Sequence, residues 1–224
     1  MDYSFLSPVQ DLVLAHNELI HNQALGRKLR IYSSQKGFPE LEGVKMAIFG
    51  VLENRNDINY IGEEIQLSEI RKCFYNLFPG NWHEAIADIG DVHKGETVED
   101  TYFAVNNVVS QLLEKRIIPI IIGGSQDITY ACYRAYDNLA PMVNIVNVDK
   151  SFDLGDSSKP IKNNSFLGKI ILEQPYNLFN YSTIGYQTYF NSQEEIDLMI
   201  LEVDKNSDGD IDFDGTLVGC LFFC

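Results

Sequence analysis

The run Ile117-Ile118-Pro119-Ile120-Ile121-Ile122 does most to limit what this chain folds into. It is apolar at every position and stops at Gly123-Gly124. Successive residues of a strand point to opposite faces, so a half-buried strand alternates apolar and polar side chains. A strand without that alternation is apolar on both faces, as in a parallel sheet covered by helices. Pro119 conflicts mildly with this reading, since a residue without an N–H is expected at strand ends and sheet edges.

The rest of the chain repeats the theme. Val44–Val51 reads as a short apolar strand, and residues 85–89 as a second. Val143–Val148 is another, ending at Asp149, and residues 181–186 form the next. Helical signals lie between them. Ser7-Pro8 looks like an N-cap followed by proline at the first helical position, with a helix running to Gly26. Residues 65–78 place Ile70, Cys73, Phe74 and Leu77 on one helix face. Thr97 and Asp100 resemble a capping box opening a helix to about Lys115, with Phe103, Val108, Val109 and Leu112 partly on one side. Further helices are expected over residues 126–136 and from about Ser192. Alternating strands and helices predict an open α/β sheet with right-handed crossovers. Three regions follow: a helix and loop extension over 1–43, the α/β domain over 44–199, and a divergent acidic tail over 200–224.

Of 224 residues, 45% are hydrophobic, which separates the chain from disordered sequences. Its 17 Lys+Arg against 32 Asp+Glu give a net charge of −15. That balance argues against nucleic acid and against anionic membrane surfaces as partners. From Glu194 onward nine acids and one lysine give −8, leaving −7 for the first 193 residues. No secretory signal and no membrane-length apolar run is visible, and Cys73, Cys132, Cys220 and Cys224 lack zinc-like pairing. A cytoplasmic protein with reduced thiols is the expectation.

Ligands of open α/β sheets bind beyond the carboxyl ends of the strands. Two segments fall there: Gly123-Gly124-Ser125-Gln126-Asp127 and Asp149-Lys150-Ser151-Phe152-Asp153. If their strands are neighbours, both segments meet at one rim, where the carboxylates of Asp149 and Asp153, with Gln126 as a neutral oxygen donor, suit a divalent cation. The plainer alternative is a tight Gly-Gly turn with the acids capping the helices that follow.

These two segments, in this order and spacing, resemble the arginase superfamily (ureohydrolases), on its formimidoylglutamase-like branch. The family pattern is an apolar strand followed by Gly-Gly-Asp-His-Ser, then a strand ending Asp-Ala-His-x-Asp. Ile48-Phe49-Gly50-Val51, Asp88-Ile89-Gly90-Asp91-Val92 and Ile184-Gly185-Tyr186 match further family strands. The resemblance implies a three-layer α/β/α fold with a mainly parallel sheet, hydrolysis of a C–N bond in a linear amidine or guanidino compound, and a manganese pair that activates water. It also implies a longer chain carrying an Asp-x-Asp motif, so the fold is expected to be incomplete at its C-terminal end. The resemblance also implies a homo-oligomer, a ring of three or six subunits, which the missing end is expected to disfavour. Asp149 and Asp153 stand at family metal-ligand positions, while Gln126 and Ser151 stand where the two histidines belong. An amide oxygen and a hydroxyl are weaker, harder donors than imidazole nitrogen. Weakened or lost manganese-dependent activity is therefore expected. A catalytically silent binding or scaffold protein is the alternative, and a single Mg²⁺ or Ca²⁺ on Asp149 and Asp153 stays open.

The tail offers a third reading. Asp204, Asn206, Asp208, Asp210 and Asp212 surround Gly209 and Ile211 in the manner of an EF-hand calcium loop. Its twelfth position is Gly215 instead of a bidentate glutamate, and the following segment is a poor exit helix.

Overall fold

The computed structural model describes residues 2–203 except 60, 61, 63, 64, 82, 83, 140, 141, 157 and 176. Along these the order is β1 (Leu6–Ser7), α1 (Asp11–Leu19), β2 (Arg30–Ile31), β3 (Val44–Val51), α2 (Leu67–Tyr75), β4 (Ala85–Val92), α3 (Val98–Glu114), β5 (Ile118–Ile122), α4 (Ile128–Arg134), β6 (Val143–Val148), α5 (Phe166–Leu172), β7 (Leu178–Ile184) and α6 (Gln193–Val203). The chain divides into two compact units, Met1–Ala135 and Tyr136–Cys224.

The first unit is built on the sheet β1-β4-β3-β5, with β2 also paired to β4. All its pairings are parallel except that of β1 with β4. Ala47, Phe49 and Val51 of β3 and Ala87, Ile89 and Val92 of β4 share a core with α3 and α4, contributed by Val105, Val108, Val109, Leu112, Ile128 and Ala131. The other face lies against α2, whose Tyr75 packs with Val9 and with Val13 of α1. Helices therefore cover both faces, and the fold is a three-layer α/β arrangement with a mainly parallel sheet.

A bulge sets the faces of β4. Ile48 pairs with Asp88 and Gly50 with Asp91, so β4 spends one residue more than β3 over the same length. The extra residue brings Asp91 back to the face that Asp88 already occupies. Gly90 takes φ +88 there, and a Cβ would stand 1.9 Å from the Ser7 carbonyl oxygen, so only glycine fits against β1.

Three local expectations are corrected. Ser7 is not a helix N-cap but part of β1, drawn into an antiparallel pair with Asp91. The first helix consequently begins at Asp11 and ends at Leu19. In α2 the buried side chains are Leu67, Ser68, Arg71 and Tyr75, whereas Ile70 and Leu77 are exposed. The charged Arg71 turns inward because two carboxylates of β4 wait for it. The capping box of α3 forms as expected: Thr97 Oγ1 accepts from the Asp100 N–H, and the Asp100 carboxylate accepts from the Thr97 N–H. Pro119 sits on β5, an edge strand among the described residues, where its missing N–H costs no ladder bond on the open side.

The second unit holds the parallel pair β6 and β7, with Ile145 opposite Tyr181 and Val148 opposite Ile184. Phe166, Leu167 and Ile170 of α5 are buried, as are Phe152 and Leu154. Exposure alternates along β6, with Val146 and Val148 outward. No helix among the described residues is long and apolar enough to cross a membrane.

Candidate functional site

Each unit carries one of the two motifs at the carboxyl end of a strand. The first motif follows β5, which pairs with β3 in the first unit, and the second follows β6, which pairs with β7 in the second unit.

In the first unit Gly123 and Gly124 both adopt positive φ, and a Cβ on Gly123 would meet Leu67 Cδ2 at 2.2 Å. This tight turn delivers Ser125, which is buried and donates its N–H to the Glu53 carbonyl at 2.8 Å. Gln126 is half-buried, and its carbonyl accepts from the Thr129 N–H at 3.0 Å. Asp127 stands at the N-cap position of α4 but makes no side-chain cap bond. Its Oδ2 accepts instead from the Tyr102 hydroxyl of α3 and from Asn56 Nδ2, and its Oδ1 is buried without a partner. Burial, followed by the Asp127 bond, raises the Tyr102 pKa, so the phenol stays a donor.

Two ionic clusters escaped sequence reading. Glu53, fully buried just past β3, takes three bonds from Arg55 and one from Thr101 Oγ1 at 2.8 Å. Burial works to raise the Glu53 pKa, but the Arg55 and Thr101 hydrogen bonds outweigh it and hold the carboxyl below its ordinary value. Arg55 also donates to the carbonyls of Gly95, Glu96 and Thr97, tying the loop after β3 to the start of α3. The second cluster is Arg71, with Nε and Nη2 on Asp88 at 2.8 and 3.1 Å and Nη1 on Asp91 at 2.7 Å. Tyr75 donates to Asp88 Oδ2 at 2.8 Å. Burial opposes the Arg71 charge, and the two carboxylates overcome it and raise its pKa. The spacing of Arg71 and Tyr75, four apart on one helix, was the only sequence signal, and the bulge they face is seen in the structure alone.

In the second unit the segment after β6 is strapped down by the segment after β7. The Gln187 N–H and Asn191 Nδ2 donate to the Lys150 carbonyl, and Asn191 Oδ1 accepts from the Phe152 N–H at 2.8 Å. Phe152 stacks on Tyr186 at 5.0 Å, and Lys150 Nζ lies 4.2 Å from the Phe190 ring centre. Within this strap Asp149 Oδ1 accepts from the N–H groups of Lys150 and Ser151 at 2.5 and 3.2 Å. Ser151 Oγ donates to Asp153 Oδ1 at 2.9 Å. Asp153 is 4% exposed, sits at φ +57, and has a buried Oδ2 with no partner. Burial pushes its pKa up to about 6; the Ser151 bond pulls against this, and the charges of Asp149 and Glu195 add to it.

This donor set does not fit a manganese pair. It contains no imidazole, Ser151 Oγ is committed to Asp153, and Asp149 Oδ1 is committed to two backbone N–H groups. Among the described residues no three His, Cys, Asp or Glu side chains come together in a metal-binding group. His16 lies against Asn76 Nδ2, His21 accepts from the Gln23 N–H, and His93 is exposed, so none joins either motif through those contacts. His83 and the calcium-loop candidates Asp204, Asn206, Asp208, Asp210 and Asp212 lie outside the described residues.

Comparison with known proteins agrees with this architecture. The arginase family profile matches residues 45–214. A formimidoylglutamase of Macrococcus caseolyticus is 31% identical over 156 residues, covering 66% of this chain and 47% of the relative. One from Staphylococcus epidermidis is 27% identical over 154 residues, covering 65% and 49%. Trypanosoma cruzi formiminoglutamase, solved with Mn²⁺, superposes with a TM-score of 0.63 at 17% identity, covering 81% of this chain and 62% of that one. The Bacillus subtilis formimidoylglutamase gives 0.59 at 15%, covering 75% and 60%. The fold and the match together place this chain in the arginase family. It spans about half the length of the curated relatives it matches.

Proposed function

We propose that this chain is a formimidoylglutamase-like member of the family that binds a linear amidine or guanidino compound directly and has lost manganese-dependent hydrolysis. The observation that carries this reading is Asp153 Oδ2, a buried carboxylate oxygen without a hydrogen-bond donor, beside Asp149. A buried acceptor left unpaired is costly, and an amidinium supplies both N–H donors and the opposite charge. In metal-dependent relatives of this fold class, a bound metal pair supplies an activated water. Here the positions of the two imidazole ligands hold Gln126 and Ser151, and the Ser151 hydroxyl is turned onto Asp153. The role left to Ser151 is to fix the Asp153 carboxylate for a ligand.

The test is calorimetric titration of agmatine and formimidoylglutamate into chelator-treated protein, alongside assays for urea and formamide release with added Mn²⁺. The expected result is metal-free binding that Asp153→Asn abolishes, with no product release. Turnover with Mn²⁺ at the level of active relatives would overturn the loss of hydrolysis.

A further inference from the structure

A cavity lies at the end of the first unit's sheet opposite its motif, where β3 and β5 begin. It measures about 620 Å³, and Lys45, Lys115, Arg116, Tyr3 and Phe38 are among its lining residues. Its size is that of a small-molecule site. The three cations are exposed, and among the described residues none makes an ion pair or a side-chain hydrogen bond. Elsewhere in the same unit Arg55, Arg71 and Lys72 are all paired with carboxylates. In a chain of net charge −15, three unpaired cations on one concave surface run against the overall composition.

Arg116 adds an independent observation. The end of α3 is a Schellman motif: the Ile117 N–H bonds the Leu112 carbonyl at 2.9 Å, and the Arg116 N–H bonds the Leu113 carbonyl at 2.8 Å. The residue at that position must take the left-handed conformation, and glycine is the usual choice. Here it is an arginine at φ +58. A long cationic side chain is kept where a bare backbone is the more stable solution, and outliers of this kind concentrate at functional sites. The helix dipole accounts for a cation at Lys115. It does not account for Lys45, which comes from β3, nor for a left-handed arginine.

The remaining wall is aromatic. Tyr3 stacks on Phe38 with centroids 4.6 Å apart and planes 9° from parallel, and Tyr3 is 48% exposed. Glu40 and Glu42 border the same space, with their backbone carbonyls taken by Arg30. Their carboxylates are acceptors of the kind that sugar hydroxyls use. Cations for phosphate, a ring platform for a base and acceptors for a ribose are thus grouped around one cavity. We propose that this cavity binds a nucleotide, its phosphates on Lys45, Lys115 and Arg116 and its base on the Tyr3–Phe38 platform. The proposal does not depend on the reading of the Asp149–Asp153 segment.

The experiment is calorimetric titration of ADP, adenosine and pyrophosphate into the full 224-residue chain, repeated with Arg116→Gly and Tyr3→Ala. ADP is expected to bind more tightly than either fragment. Arg116→Gly should weaken ADP at least about tenfold while the variant melts no lower than the parent, because glycine relieves the left-handed residue. Tyr3→Ala should weaken ADP and leave pyrophosphate unchanged. Absence of ADP binding, or full affinity retained in Arg116→Gly, overturns the site. Pyrophosphate binding as tightly as ADP overturns the nucleotide assignment.

Discussion

The Ser151 hydroxyl donates to Asp153 Oδ1 at 2.9 Å, so two residues that the family resemblance sets at metal-ligand positions are bonded to each other. That bond holds the Ser151 hydroxyl on its neighbour. It orients the carboxylate and leaves only Oδ2, which is buried, without a partner. The Ser151→Ala variant should therefore weaken amidine binding by about 1 kcal/mol, the net worth of one such bond, and should also lower the melting temperature, because it takes a donor from a buried carboxylate. Titration calorimetry of agmatine beside a thermal melt checks both halves.

Asp153 also sets a pH dependence. Its folded pKa is about 6 against an ordinary 3.8, so the folded state binds the proton more tightly than the unfolded state does. Stability from this group is fullest below pH ~4 and is lost as pH rises through about 6, after which the buried charge is a constant cost. Asp153→Asn removes the slope. At pH 7 it should be more stable than the parent by up to about 3 kcal/mol. Urea unfolding at pH 4.5 and pH 7 measures the difference between the two proteins, which cancels the other titrating groups. A parent more stable than the variant at pH 7 would contradict the shift.

Tyr102 and Asp127 allow a test of the first unit's motif. Asp127 is fully buried, and its Oδ2 relies on Tyr102 and on a longer 3.4 Å bond from Asn56. Tyr102→Phe removes the closer donor and leaves a buried carboxylate poorly satisfied, a loss of about 1–3 kcal/mol. Asp127→Asn in the same background should recover much of it, because the neutral amide tolerates burial better. A double-mutant cycle by chemical denaturation reads the coupling directly.

How far the sequence speaks is visible in α2 and β4. The strands β3 and β5 announce themselves by apolar runs, and α3 by its Thr97–Asp100 box. These signals are local, so one chain segment suffices to read them. The buried face of α2 is not local. Ile70, Cys73, Phe74 and Leu77 make a reasonable apolar stripe, yet the helix turns Arg71 inward because Asp88 and Asp91 lie across from it. Their shared face depends in turn on a bulge that periodicity cannot reveal. The same holds for β1, where pairing with Asp91 and Val92 overrides the helix start suggested by Ser7-Pro8. At the candidate site, Asp149, Ser151 and Asp153 were legible as positions. The hydrogen bonds that engage all three within the same segment became visible only in three dimensions.

Arg71 carries the largest stability effect expected in the first unit. It is 2% exposed, and its guanidinium is the opposing charge for both Asp88, which is fully buried, and Asp91, which is 3% exposed. It also donates to the Gly90 carbonyl at 2.9 Å, so it holds the bulge that places both carboxylates on one face. Replacing one partner of a buried ion cluster strands the others, at about 3–5 kcal/mol. Arg71→Met keeps the helix propensity and most of the volume, so its cost reports the charges and not the packing. Arg71→Lys should recover only part of the loss, since one ammonium cannot reproduce the two-nitrogen contact with Asp88 while also reaching Asp91. Urea denaturation of both variants tests this. A loss below about 1 kcal/mol for Arg71→Met would mean that the cluster contributes little to the fold.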